Sequence, residues 1–299
     1  MTVQFTHNKQ IVRDYQGNLI AEIFKTRLGN LAYFGLPSPD MMDVRDWLPL
    51  FSKVIAVERP TVQSTHRDQH RLLLTASLYG IDEKLYLLRG DIDEIILSGR
   101  DDFDNPLIPP FDVVSLDYSG GLFYKKGNRF LRLEAIKKLI EINERKIDGF
   151  LLFISANCHA IDQGEIKDTL QNIRTELNRM QKQGDKLYEA YMSHPSDIVR
   201  LVIYVSFFIR MTTAARNCHT KTYPAISYPG NRGMEMINFR FLIRPNALAV
   251  APRFPQERLN QILNTPLIRL ENGKKVESPF KMPKVRDRLL SDPNGTDKE

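Results

Sequence analysis

Three acidic residues in this chain follow short apolar runs: Glu58 after Lys53-Val-Ile-Ala-Val57, Asp91 just past Lys84 to Leu88, and Asp117 after Asp112-Val-Val-Ser-Leu116. A run of strand formers ends where buried backbone gives way to a loop, so a carboxylate there emerges at the rim of a sheet. Asp117 is the most pointed of the three, because Tyr118, Ser119 and Gly120 follow directly. Asn157, Cys158 and His159 come after a fifth apolar run and belong to the same rim, where His159 is a candidate proton acceptor. Cys218-His219 could come near, yet neither Cys-His pair has the usual zinc spacing. Buried thiols and a rim imidazole are the plainer reading.

Each acid also has a plain reading. Glu58 can simply close a strand, Asp91 can belong to a solvated acidic loop with Asp93 and Glu94, and Asp117 can cap a turn with Tyr118 packed in the core. Which reading holds depends on the elements that carry these residues.

Short apolar runs alternate with amphipathic stretches, the pattern of a parallel sheet covered by helices. Leu31 to Phe34 reads as the first strand and leads into Gly35-Leu-Pro-Ser-Pro-Asp40. Ser38 and Pro39 suit the start of a helix toward Leu50. Strands follow at 53–57, 84–88, 112–116 and 149–154, with helices at 66–79 and 130–143. The unbroken run Gly149-Phe-Leu-Leu-Phe-Ile154 suits a strand buried on both faces. Two further helices are expected at about 165–183 and 197–215. Thr222 to Tyr228 and Met234 to Ile243, joined by Pro229-Gly-Asn-Arg-Gly233, then describe an antiparallel hairpin. A short helix is expected around 256–263. The basic stretch Lys274 to Arg288 reads as an extended, partly disordered tail, a candidate to track a nucleic-acid backbone.

The expected fold class is therefore α/β: a doubly wound, mostly parallel seven-stranded sheet with a C-terminal antiparallel hairpin and helices on both faces. Residues 1–30 form an N-terminal extension, 31–245 the Rossmann-type domain, and 246–299 a C-terminal extension. An ordinary dinucleotide-binding sheet ends on a parallel sixth strand, so the hairpin is informative. From Leu31 to Ile243, element order and motif positions resemble the class I S-adenosylmethionine-dependent methyltransferases. The first glycine motif diverges, since Gly35-Leu-Pro-Ser-Pro has one glycine and two prolines, and prolines remove amide donors.

The resemblance implies S-adenosyl-L-methionine as cofactor and assigns roles by position. Gly35, Pro37 and Asp40 stand in the place of the first loop, Glu58 in that of the acid bound to the ribose hydroxyls, and Asp91 with Ile92 beside the adenine. Asp117 meets both cofactor and acceptor. Asp117-Tyr-Ser-Gly120 is similar to the motifs of methyltransferases acting on exocyclic amines of nucleobases, though the proline of those motifs is absent. There an acid orients the amine and an aromatic ring stacks on the base, which makes Asp117 and Tyr118 the catalytic candidates. Ser119, Gly120, Asn157, His159, Tyr228 and Arg232 are the substrate-binding candidates. No metal is implied.

The 299 residues carry a net charge of +6, with a pI near 9.2. The excess favours a polyanionic partner such as DNA or RNA without establishing one. A protein partner is a further expectation. Two cysteines exclude a disulfide framework, and no apolar signal core opens the chain, so a cytoplasmic protein is expected. Ile198 to Ala215 is apolar but carries Arg200 and Arg210, which reads as a buried helix rather than a membrane span. Two other functions fit parts of the pattern: a non-catalytic Rossmann-like subunit binding a protein or nucleic acid, and a nicotinamide-dependent oxidoreductase, against which the hairpin argues.

Overall fold

The computed structural model describes residues 7–37, 41–59, 67–118, 120–127, 129–158, 197–230, 234–246, 267–271 and 274–276. Its helices are α1 (His7–Ile23), α2 (Met42–Trp47), α3 (Arg67–Leu78), α4 (Ile92–Ser98), α5 (Leu131–Asn143) and α6 (Asp197–Ala215). Its strands are β1 (Leu31–Gly35), β2 (Phe51–Glu58), β3 (Leu85–Arg89), β4 (Val113–Asp117), β5 (Lys125–Lys126), β6 (Arg129–Phe130), β7 (Phe150–Asn157), β8 (Cys218–Thr222), β9 (Ala225–Pro229), β10 (Glu235–Pro245), β11 (Leu267–Glu271) and β12 (Lys274–Val276). β5 and β6 pair only with each other.

The other strands build one ten-stranded sheet in the order β3-β2-β1-β4-β7-β10-β9-β11-β12, with β8 also paired to β10. β3, β2, β1, β4 and β7 run parallel. β10 runs antiparallel to β7, β8 and β9. This is a doubly wound sheet with the expected antiparallel hairpin. From β1 the chain first winds outward to β2 and β3, then crosses back to β4 on the other side. That reversal opens a crevice beyond the carboxyl ends of β1 and β4.

The two-residue period of the strands sorts their side chains onto two faces. Tyr33, Val54, Val113, Leu151 and Phe153 face one core, shared with Leu19, Ile20, Val44, Trp47 and Leu72 of α1, α2 and α3. Phe34, Ile55, Val57, Val114, Leu116, Leu152 and Ile154 face the other, shared with Ile95, Ile136, Leu139 and Val202 of α4, α5 and α6. Every residue of β7 is buried, because β4 and β10 flank it and helices cover both faces. Among the described residues one helix is long and apolar enough to cross a membrane, Ile198–Ala215 with mean hydropathy 1.6, and 61% of it is buried inside the protein.

Three features differ from the sequence expectations. The sheet has ten strands rather than seven, the additions being β8, β11 and β12. The expected strand at 222–228 is instead two strands broken at Tyr223-Pro224, each pairing with a different half of β10, since proline cannot donate to a ladder. Lys274 to Val276, expected in a disordered tail, form β12 against β11. The helices expected at 165–183 and 256–263 lie outside the described residues.

Candidate functional site at the carboxyl ends of the strands

The crevice side of the sheet is set by register. Gly35, the last residue of β1, aligns with Ala56 of β2 on one side and Ser115 of β4 on the other. Glu58 and Asp117 each stand two residues beyond those partners. They therefore flank the exit of β1 at the same height, with backbones about 10 Å apart across two strand spacings. The same period turns both side chains toward the face covered by α1, α2 and α3.

Asp91 lies one strand further out and caps α4: its Oδ1 accepts from the Asp93 amide at 3.0 Å. Its Oδ2 is 3.2 Å from Arg59 Nη1, on a largely exposed side chain. Ile92 is buried in the core on the α4 side. Pro37 is buried.

Gly35 is a glycine for a packing reason. A Cβ there would collide with the Ser115 carbonyl oxygen and lie 2.7 Å from the Tyr33 hydroxyl. The chain stays bound to β4 one residue further, where Leu36 N donates to Ser115 O at 3.2 Å. The Cα side of Gly35 is thus filled by the protein's own atoms.

Asp117 meets a residue the sequence reading did not single out. Lys9, in the first turn of α1, places Nζ 2.5 Å from Asp117 Oδ2, with 34% and 20% of the two side chains exposed. The Asp117 carboxylate raises the Lys9 pKa above its ordinary value against the opposing effect of burial. One turn further along α1, Arg13 pairs with Asp43 of α2, only 4% and 7% exposed. Burial pushes the Asp43 carboxyl up, Arg13 pulls it down, and nearby Asp117 raises it again. Lys9, Arg13, Asp43 and Asp117 form a neutral quartet of charges over the ends of β1 and β4. The spacing of Lys9 and Arg13, four residues apart on one helix face, was the legible signal for it.

Beneath the quartet runs a row of buried polar residues. Asp117 aligns with Ser155 of β7, and Ser155 with Asn238 of β10. Asn238 Nδ2 donates to Ser155 Oγ at 3.0 Å. The Tyr228 hydroxyl also bonds Ser155, and burial raises its pKa. Tyr228 is 2% exposed and packs with Val12 of α1, so it presents no open ring face.

Tyr118 turns the other way. It is 3% exposed, and its hydroxyl donates to Asp93 Oδ1 at 2.7 Å. The Arg132 guanidinium lies over its ring at 4.4 Å, and Arg132 also donates to Gly121 O. Burial above all raises Asp93 from 3.8 to about 6, the Tyr118 bond and Arg132 opposing it. Tyr118 thus belongs to a buried brace between the loop after β4 and the start of α4. Gly120 sits against Arg132, 3.3 Å from Nη1 to a Cβ built on it.

Asn157 ends β7; its amide donates to Gly120 O at 3.2 Å, and its Nδ2 lies 3.1 Å from Met234 Sδ. Asp40, Ser119, His159 and Arg232 lie outside the described residues. Cys158 and Cys218 are buried and not joined in a disulfide. Among the described residues no three His, Cys, Asp or Glu side chains gather as metal ligands. Glu58, Gly35 and Asp117 therefore come together; Ile92, Tyr118 and Tyr228 point into cores instead.

No family model matches the chain, and no curated protein does. Among solved structures, the chain is similar to an O-methyltransferase from Bacillus cereus in complex with SAH: 10% identity over 76% of this chain and 80% of that one, with a TM-score of 0.42. A putative RNA methyltransferase from Pyrococcus horikoshii gives 11% identity, 78% and 82% coverage, and 0.42. An O-methyltransferase from Streptomyces achromogenes in complex with SAM gives 13%, 81% and 92%, and 0.40. Values this low carry no weight for the site, and the fold rests on the chain's own strand order: a doubly wound sheet whose five parallel strands end in an antiparallel hairpin.

Proposed function

We propose that the chain is an S-adenosylmethionine-dependent methyltransferase acting on nucleic acid, on a base amine or elsewhere on RNA. The observation that carries this reading is the pair Glu58 and Asp117, level with each other on either side of the β1 exit. Doubly wound sheets hold nucleotide-like ligands at that reversal point.

The residues fit the adenosine end of the cofactor. Glu58 is only partly buried at the tip of β2 and serves as acceptor for the ribose hydroxyls. Asp91, next in the row, pairs one oxygen with the exposed Arg59, which can yield it to an adenine amine. Gly35 does not offer the close backbone approach of the usual loop, because its Cα side is filled.

When bound, S-adenosylmethionine supplies a methyl group already activated on a sulfonium, so the protein's task is placement and exclusion of water. Asp117 accepts a hydrogen bond from the acceptor amine and so aims its lone pair. Tyr118 acts through the brace with Asp93 and Arg132, holding the loop that carries Asp117. The basic balance of the chain suits a phosphate backbone.

The test is titration calorimetry with S-adenosylmethionine and S-adenosylhomocysteine. Micromolar binding to the wild type and at least tenfold weaker binding to Glu58→Ala are expected. No heat with either ligand would sink the reading. Two observations favour a second reading, a non-catalytic subunit: Lys9 already pairs with Asp117, and Tyr33 already packs on Gly35. RNA affinity indifferent to cofactor and to Asp117→Ala would decide for it.

A further inference from the structure

The turn after β1 is poor in donors for a carboxylate. Pro37 and Pro39 have no N–H, and the Leu36 amide is already given to Ser115 O. Among the described residues of the turn, Leu36 and Pro37, no amide is left for the carboxylate of an amino-acid tail. The quartet over the adjoining strand supplies partners instead.

Its two pairs differ in access. Arg13 and Asp43 are sealed and hold α1 to α2, whereas Lys9 and Asp117 are partly open to solvent. A ligand bearing a single charge would pair with one of the open residues and give the other nothing in exchange for the Lys9–Asp117 bond. A zwitterion would not: its ammonium takes Asp117 Oδ2 in place of Lys9, and its carboxylate takes the displaced Lys9. One internal ion pair is exchanged for two external ones, and no net charge is buried. Behind Asp117, in the same cross-strand row, Asn238 is 0% exposed and its Oδ1 accepts no hydrogen bond among the described residues.

We infer that Lys9 and Asp117 form a zwitterion site that holds the carboxylate and ammonium of the cofactor's methionine end, in place of the turn after β1. The inference rests on the methyltransferase reading, and it gives the N-terminal helix a share in the ligand site. Asp117 keeps its second oxygen for the acceptor amine.

The test is calorimetry on the full chain with two probes: S-adenosylhomocysteine, which has the zwitterionic tail, and 5′-methylthioadenosine, which lacks it. The wild type is expected to bind the first at least tenfold more tightly. Lys9→Met should remove most of that preference and leave 5′-methylthioadenosine binding unchanged, while Lys9→Arg should restore it. Thermal melting of each variant checks folding, and Lys9→Gln serves should Lys9→Met melt early. Equal binding of both probes by the wild type, or undiminished S-adenosylhomocysteine binding by a folded Lys9→Met or Lys9→Gln, overturns the inference and leaves the cofactor reading standing. Binding of neither probe by the wild type overturns both.

Discussion

Lys9 Nζ lies 2.5 Å from Asp117 Oδ2, tying the first turn of α1 to the last residue of β4 across 108 positions of sequence. A second pair, Arg13 with Asp43, lies one helical turn deeper. The two pairs look alike on paper and differ in energetic weight, because one is rim and the other interior.

Lys9→Met is expected to cost no more than about 1 kcal/mol in chemical denaturation, since a partly exposed ion pair is screened and costs side-chain entropy. Arg13→Ala is expected to cost about 3–5 kcal/mol, because Asp43 would be left buried without its partner. Equal losses in urea melts of the two variants would contradict this division.

Asp93 makes stability depend on pH. Its carboxyl titrates near 6 instead of 3.8, so the folded state holds the proton more tightly than the unfolded chain. The stabilisation is complete below about 3.8 and is lost as pH rises through about 6. Burial, Asp91 and Glu94 push the value up, and Tyr118 and Arg132 push it down. Asp93→Asn should flatten the unfolding free energy over that window, by roughly 2 kcal/mol between pH 4.5 and 7.5. Denaturant midpoints of wild type and variant at pH 4.5 and 7.5 measure it; parallel profiles would refute it.

Gly35→Ala is expected to destabilise the protein by about 1–3 kcal/mol through overpacking against Ser115 and Tyr33. The cost should be present without any ligand. A variant as stable as wild type, but impaired in cofactor binding, would show that the glycine serves ligand approach instead.

Leu270→Ala tests whether the C-terminal segment is part of the structural core. Leu270 is 2% exposed and packs with Val12, Ile226 and Tyr228. A loss of about 2–4 kcal/mol in thermal or chemical melts is expected, and a loss below about 0.5 kcal/mol would mean β11 is dispensable.

Much of the fold could be read from neighbours along the chain. The apolar runs, the glycine before β7 and the turn at Pro229 to Gly233 act within a few residues, and local sterics and periodicity report them directly. Covalent order alone also puts Glu58, Asp91 and Asp117 at strand tips, since each follows its own run. What lies over those tips was not written locally. Lys9 finds Asp117 only because α1 is laid across the sheet, and Gly35 is crowded only because β4 runs beside β1. Tyr118 and Tyr228 are aromatic residues at the rim by position, yet one turns under Arg132 and the other under α1. Direction at a strand end depends on which helix offers burial there, and that offer comes from other elements: Asp93 and Arg132 for Tyr118, Val12 for Tyr228.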